Sequence, residues 1–145
     1  MEALEKEGIK VNVVGSQQSW MADEAAAKAT NIITANSDIN VFWASNDGGT
    51  SGAIAAVKSS GKDIVVFGTD MNAELGNYIL DGQILKCTIG QDGAGIGEKA
   101  YEVAKKVIAG ETIDPFTISI PGSIFSVDDL DAVKTYIEES KGAEG

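Results

Sequence analysis

Short runs of β-branched and apolar residues alternate along the chain with segments of helical period. The runs are Val11–Gly15, Val41–Ser45, Ile64–Gly68 and Leu85–Gly90. Strand-sized runs separated by helices of about 10–15 residues imply βαβ units and a parallel sheet. The runs are almost continuously apolar, as strands are when helices cover both faces. The expected fold is α/β, a three-layer parallel sheet with helices on both faces. The 145 residues show no linker, repeat or low-complexity block, so a single domain is expected.

The helical segments carry their own signals. Ser19–Asn36 predicts a helix with Ala25, Ala29, Ile32 and Ile33 on one face. Asp23 and Glu24 fall in its first turn, where the helix dipole favours anions. Thr50–Ser60 predicts a second helix, with Ala53, Ile54 and Val57 inward and Gly61 as its stop. Ala73–Leu80 is a short helix with Leu75 and Ile79 inward and Gly82 after it. Ile96, Ala100, Val103 and Val107 mark a fourth, stopped at Gly110. After Pro115 a fifth strand, Phe116–Ile120, is expected, then Pro121. Ser126 and Asp129 have the spacing of a capping box for a last helix that buries Leu130, Val133 and Ile137. Its tail, Lys141–Gly145, is expected to fray.

Composition removes several functions. The formal charge is −11, from 22 acids against 11 bases, and every base is lysine. Nucleic acid calls for a basic, arginine-rich patch, so no nucleic-acid partner is expected. Without histidine or arginine there is no histidine triad, histidine metal site or arginine phosphate clamp. The single cysteine, Cys87, excludes an internal disulfide and a cysteine zinc cluster, and its place in a strand suggests a buried, inert thiol. No apolar run approaches the roughly 18 residues of a membrane span, so a soluble chain is expected. No charged-then-apolar leader marks a signal peptide.

In open α/β sheets ligands bind beyond the carboxyl ends of the strands. The first run ends in Ser16, with Trp20 close behind. The second ends in Asn46 and Asp47, the third in Thr69 and Asp70, the fourth in Gln91 and Asp92. Parallel pairing would bring these groups to one edge. Carboxylates and amides that hold several hydroxyls, beside an indole that stacks on a sugar ring, make a carbohydrate-type site. Each such residue is equally an ordinary turn or helix-cap residue. What singles the set out is that all four strand ends agree. Trp20 taken alone fits packing as well as stacking, and Trp43, inside a strand, reads as core.

These residues carry a resemblance. The segments SWMADEAAAKATNIITANSDINVFWASNDGGTSGAIAAVKSSG, IVVFGTD and LDGQILKCTIGQDGAGIGEKAYEVAKKVIAGE resemble the C-terminal half of a type I periplasmic sugar-binding protein, in the ribose- and galactose-binding group. The similarity runs from about Glu2 to about Lys141. It implies a flavodoxin-like lobe and a non-catalytic, monosaccharide-binding parent that hands its ligand to an ABC permease from the periplasm or the outer cell surface. It implies that Asn46 bonds ring hydroxyls, that Asp70 accepts from sugar hydroxyls, that Gln91 lies at the third crossover and that Trp20 stacks on the ring. Asp47 then reads as a helix cap. No cofactor or metal is implied.

The chain departs from that family in having no counterpart of the first lobe or of the second lobe's opening strand and helix. It therefore resembles a fragment, expected to bind sugar weakly or not at all. Residues 92–115 would pack on the other lobe in an intact parent. The missing strand would lie between Val11–Gly15 and Val41–Ser45. Either those two runs pair directly or another chain fills the vacancy, which makes a rearranged sheet or a homodimer an expectation.

Other signals are weaker. Gly93-Ala94-Gly95-Ile96-Gly97 opens a helix after a strand, but Glu98 stands where a dinucleotide loop needs its third glycine. Asp47-Gly48-Gly49-Thr50-Ser51-Gly52 lacks the P-loop lysine, and Asp47 would repel a phosphate. Asp47, Asp70 and Asp92 lack the spacing of a calcium loop. Asp128-Asp129 and Glu138-Glu139 read as solvated. Ser16 and Ser45 have no base to activate them. Two rival functions remain at this level: the effector domain of a lactose-repressor-type regulator, and a small flavodoxin-like enzyme or cofactor carrier.

Overall fold

The computed structural model describes residues 2–143. In chain order the elements are α1 (Glu2–Lys6), α2 (Ala22–Ala35), β1 (Val41–Trp43), α3 (Asp47–Ser60), β2 (Val65–Thr69), α4 (Ala73–Asp81), β3 (Leu85–Gly90), α5 (Gly93–Ile108), β4 (Ser123–Ser126) and α6 (Leu130–Ala143). The sheet order is β1-β2-β3-β4. The first three strands run parallel, while β4 is antiparallel to β3. The α/β class and the mostly parallel sheet are as expected.

One face of the sheet carries the core. Val66 of β2, Leu85 of β3 and Phe125 of β4 pack with Ile54 and Val57 of α3, Leu75 and Ile79 of α4, and Val133 and Ile137 of α6. Helix α2 lies on α3, and Gly52 permits the approach: a Cβ there would stand 2.5 Å from the Ala22 carbonyl oxygen and from Ala25 Cβ. Gly61 and Gly82 end α3 and α4 in the left-handed conformation, at φ 64° and 70°, as their positions predict. Asp129 Oδ1 accepts from Ala132 N at 3.1 Å and is itself the cap of α6. Ser126 instead accepts from Asp128 N, so the expected box does not form. Leu130 is exposed rather than buried. Of the tail, residues 144–145 lie outside the described residues.

Helices cover this face only. Trp43, Phe67, Ile89 and Ile124 stand exposed on the other. Trp43, expected in the core, is 70% exposed. Side chains alternate along a strand, so Phe42 reaches the core cluster and Trp43 faces away from it. The cause lies partly in β4. Because it runs antiparallel, the chain leaves β3 and returns to the sheet at the same edge. Helix α5 sits on that excursion and buries no residue.

Two expected strands are not formed. Val11–Gly15 forms no strand and pairs with nothing among the described residues. Its Gly15 lies against Ile32 of α2 instead. The two runs therefore do not pair directly, and β1 is an open edge. Asn40 and Ala44 bond to β2. By alternation Phe42 does too, which leaves the N–H and C=O of Val41 and Trp43 pointing outward. Among the described residues Phe116–Ile120 also has no strand partner, and Phe116 is 94% exposed. Strand β4 forms a few residues later, where Phe125 is buried edge-on to Tyr136 with ring centroids 5.0 Å apart.

Candidate functional site

Parallel pairing of β1, β2 and β3 brings three loops to one edge, and side chains tie them together. Asn46 follows β1 and is the cap of α3. Its Oδ1 accepts from Gly49 N at 2.9 Å, while its Nδ2 donates to the Trp20 carbonyl at 3.1 Å. A carboxamide has two N–H donors and two carbonyl lone pairs, so Asn46 keeps one of each free. Asp47, expected as the cap, is the first residue of the helix instead. Its side chain accepts from Gly48 N at 2.7 Å. Its N–H donates to Asp70 Oδ2 at 3.3 Å. The displacement has a simple cause: a cap must precede the first helical residue to reach the third helical N–H.

Asp70 follows β2 with φ 69°, the one positive φ outside glycine among the described residues. That conformation is costly for a side chain and must be held by its surroundings. Asp70 N donates to the Ile89 carbonyl at 2.8 Å. The hydroxyl of Thr88, fully buried in β3, donates to the Asp70 carbonyl. Gln91 Nε2 donates to Asp70 Oδ1 at 2.6 Å. The carboxylate has about four lone-pair sites, so about two stay open after these bonds and the one from Asp47. Gln91 retains one N–H and its carbonyl. Asp92, next in the chain, caps α5 by accepting from Gly95 N at 2.8 Å.

Trp20 shares its carbonyl with Asn46, and its indole is 72% exposed. A cleft of about 270 Å³ lies here, lined by residues 16–20 with Ser45 and Asn46. The four residues singled out in the sequence thus stand on one bonded edge. Trp20 and Asn46 line the cleft, while Asp70 and Gln91 continue the edge beyond it. No described ion pair brings a lysine to them; Lys28–Glu24, Lys99–Glu102 and Lys134–Asp131 all lie elsewhere. Among the described residues, no three of Cys, Asp and Glu gather as ligands to a metal ion.

Two supporting residues went unassigned in the sequence. Thr88 is one; its signal was a hydroxyl in an otherwise apolar strand. Lys28 is the other. Its ammonium donates to the Gln18 carbonyl at 2.5 Å and to Glu24 Oε1 at 2.6 Å, so it ties a residue lining the cleft to α2. The Lys28 hydrogen bond and charge hold the Glu24 carboxyl below its ordinary range. Cys87 is half-buried, and burial, with some help from Asp128, pushes its thiol up. The thiol stays protonated and is a poor nucleophile.

Comparison with known proteins shows the family of the chain. Residues 1–112 match the family model described as periplasmic binding protein domain. The ribose import binding protein RbsB of Salmonella typhimurium is 37% identical over 109 residues, which is 72% of this chain and 36% of the relative. A solved periplasmic ribose ABC transporter protein from Conexibacter woesei superposes with a TM-score of 0.76 at 25% identity, covering 92% of this chain and 46% of that one. A solute-binding protein from Agrobacterium vitis, bound with alpha-D-tagatopyranose, superposes at 0.78 with 21% identity, over 94% of this chain and 46% of the other. The chain spans less than half the length of each of these proteins. The chain belongs to the periplasmic binding protein domain family.

Proposed function

We propose that the chain forms one wall of a monosaccharide site in a sugar solute-binding protein. One observation carries this reading: Asn46, Asp70 and Gln91 form a continuous bonded edge with free donors and acceptors, next to an exposed indole. A sugar hydroxyl both donates and accepts, so it complements such an edge. Acidic groups with no lysine bonded to them disfavour an anionic ligand. The relatives named for ribose support a monosaccharide or a similar polyol-like ligand.

The role is capture without chemistry. Asn46, Asp70 and Gln91 hold hydroxyls, and Trp20 stacks on the apolar face of the ring. In the parent a second lobe closes over the sugar, residues 92–115 pack against that lobe, and the loaded protein docks on an ABC permease in the periplasm. With only one wall present, this chain binds weakly.

Trp20 fluorescence tests the reading. In a Trp43→Phe background, millimolar ribose or allose should change the emission saturably. Emission unchanged by every monosaccharide, with Trp20 still exposed to a soluble quencher, would remove Trp20 from the site.

A further inference from the structure

The indole of Trp20 is 72% exposed, so little packing around the ring fixes where it stands. The backbone beneath it has to do so. That backbone is not fixed locally either, because α2 opens after Met21 without a side-chain cap. The start of α3 fixes it. The Trp20 carbonyl accepts from Asn46 Nδ2 at 3.1 Å, near the upper limit for such a bond. It also lies against Gly48, in the first turn of α3. A Cβ at Gly48 would stand 2.2 Å from that carbonyl oxygen and 3.5 Å from Ala22 N. Glycine here is unfavourable for the helix itself. Its backbone does not call for glycine, since Gly48 is not among the residues of positive φ. The close approach of Trp20 is the remaining reason for it.

We propose that Gly48 is a positioning residue for Trp20: its bare backbone seats the Trp20 carbonyl on the first turn of α3 and so sets where the indole stands relative to the Asn46 carboxamide. The proposal rests on the sugar-site reading, in which ring and amide hold one sugar together. Groups that share a ligand must keep their spacing to within about 0.5 Å. The amide that offers its free donor and acceptor to a hydroxyl is also the one that holds the Trp20 carbonyl. A methyl group at position 48 would push that carbonyl back by about 1 Å, because a Cβ essentially never comes within 3.0 Å of such an atom. The bond from Asn46 is already long and has no slack to follow. Lys28 holds the segment two residues earlier, at Gln18, so the displacement falls on Trp20 itself.

NMR on the 145-residue chain, with Gly48→Ala and the control Gly97→Ala, tests the proposal, first without sugar. Nothing lies within 4 Å of a Cβ at Gly97, so that variant reads the effect of alanine in a helix alone. In the unaltered chain the α-protons of Gly48 should show a nuclear Overhauser contact to the Ala22 N–H. In Gly48→Ala the Asn46 side-chain amide and the Trp20 indole N–H should shift, while the amides of the buried Leu85 and Val133 hold still. Gly97→Ala should move none of the four. With millimolar ribose or allose, the Trp20 indole should need about tenfold more sugar to respond in Gly48→Ala than in Gly97→Ala. Absence of the Overhauser contact, Asn46 and Trp20 signals that stay fixed, Leu85 and Val133 moving with them, or equal sugar responses in the two variants would each overturn the proposal. If the contact and the shifts are present but the unaltered chain answers to no monosaccharide, the sugar-site reading falls instead, and Gly48 sets the loop alone.

Discussion

Gln91 Nε2 stands 2.6 Å from Asp70 Oδ1, so a side-chain hydrogen bond joins the loops after β2 and β3 across the carboxyl edge of the sheet. The same carboxylate accepts from Asp47 N, in the first turn of α3 after β1. One acidic side chain therefore ties the ends of three parallel strands. Its left-handed backbone, held by Thr88 and Ile89, is what turns it toward both neighbours.

Gln91→Glu places a second carboxylate against Asp70. Like charges at that distance repel. The repulsion is absent while the pair shares a proton and appears once both carboxyls are ionised. The variant should lose about 1 kcal/mol at neutral pH, discounted for exposure, and recover near pH about 4. Urea unfolding at both pH values checks this. An equal loss at both would show that the two groups do not interact.

Asn46 caps α3, the most deeply buried helix. Asn46→Ala should destabilise the chain by about 1–2 kcal/mol, and Asn46→Ser, which keeps a capping oxygen, by distinctly less. Equal losses in chemical denaturation would mean that the bond to Gly49 N contributes nothing.

Lys28 depresses the pKa of Glu24 and grips the Gln18 carbonyl. A depressed carboxyl pKa means that the interaction is complete above the ordinary glutamate value and fades as pH falls through the folded value. In Lys28→Met the Glu24 midpoint, followed by carbon NMR, should rise toward the ordinary value. Amide exchange at residues 16–20 should quicken with it. A midpoint that stays put would assign the depression elsewhere.

The one-sided core separates two large side chains. Ile54, fully buried, should cost about 2–5 kcal/mol as Ile54→Ala. Trp43→Ser should change the stability of a single copy by no more than about 0.5 kcal/mol. Thermal unfolding at low concentration compares them. A large loss from Trp43→Ser would return it to the core.

Much of this was legible in the residues. Leu75, Ile79, Val133 and Ile137 announced their helices by spacing, and Leu85–Gly90 is a strand over the expected residues. The errors share one cause. Val11–Gly15 and Phe116–Ile120 have strand composition, but a strand exists only where a partner offers its edge, and composition does not record partners. Trp43 was misplaced because an apolar run does not reveal that one face of its sheet is bare. At the site, strand-end polarity located Asn46, Asp70 and Gln91. It did not show that Asn46 caps a helix as well, or that Asp70 needs a left-handed backbone held by a buried threonine.

A nitrogen–proton NMR titration of the chain with millimolar ribose, allose and galactose tests the central claim most directly. The account predicts that one sugar moves the amides of Asn46, Asp70 and Gln91 and the indole N–H of Trp20 together, along one weak binding curve, and that Asp70→Asn abolishes the movement. A dispersed spectrum in which these four signals stay fixed with every sugar, or move independently of one another, would contradict it.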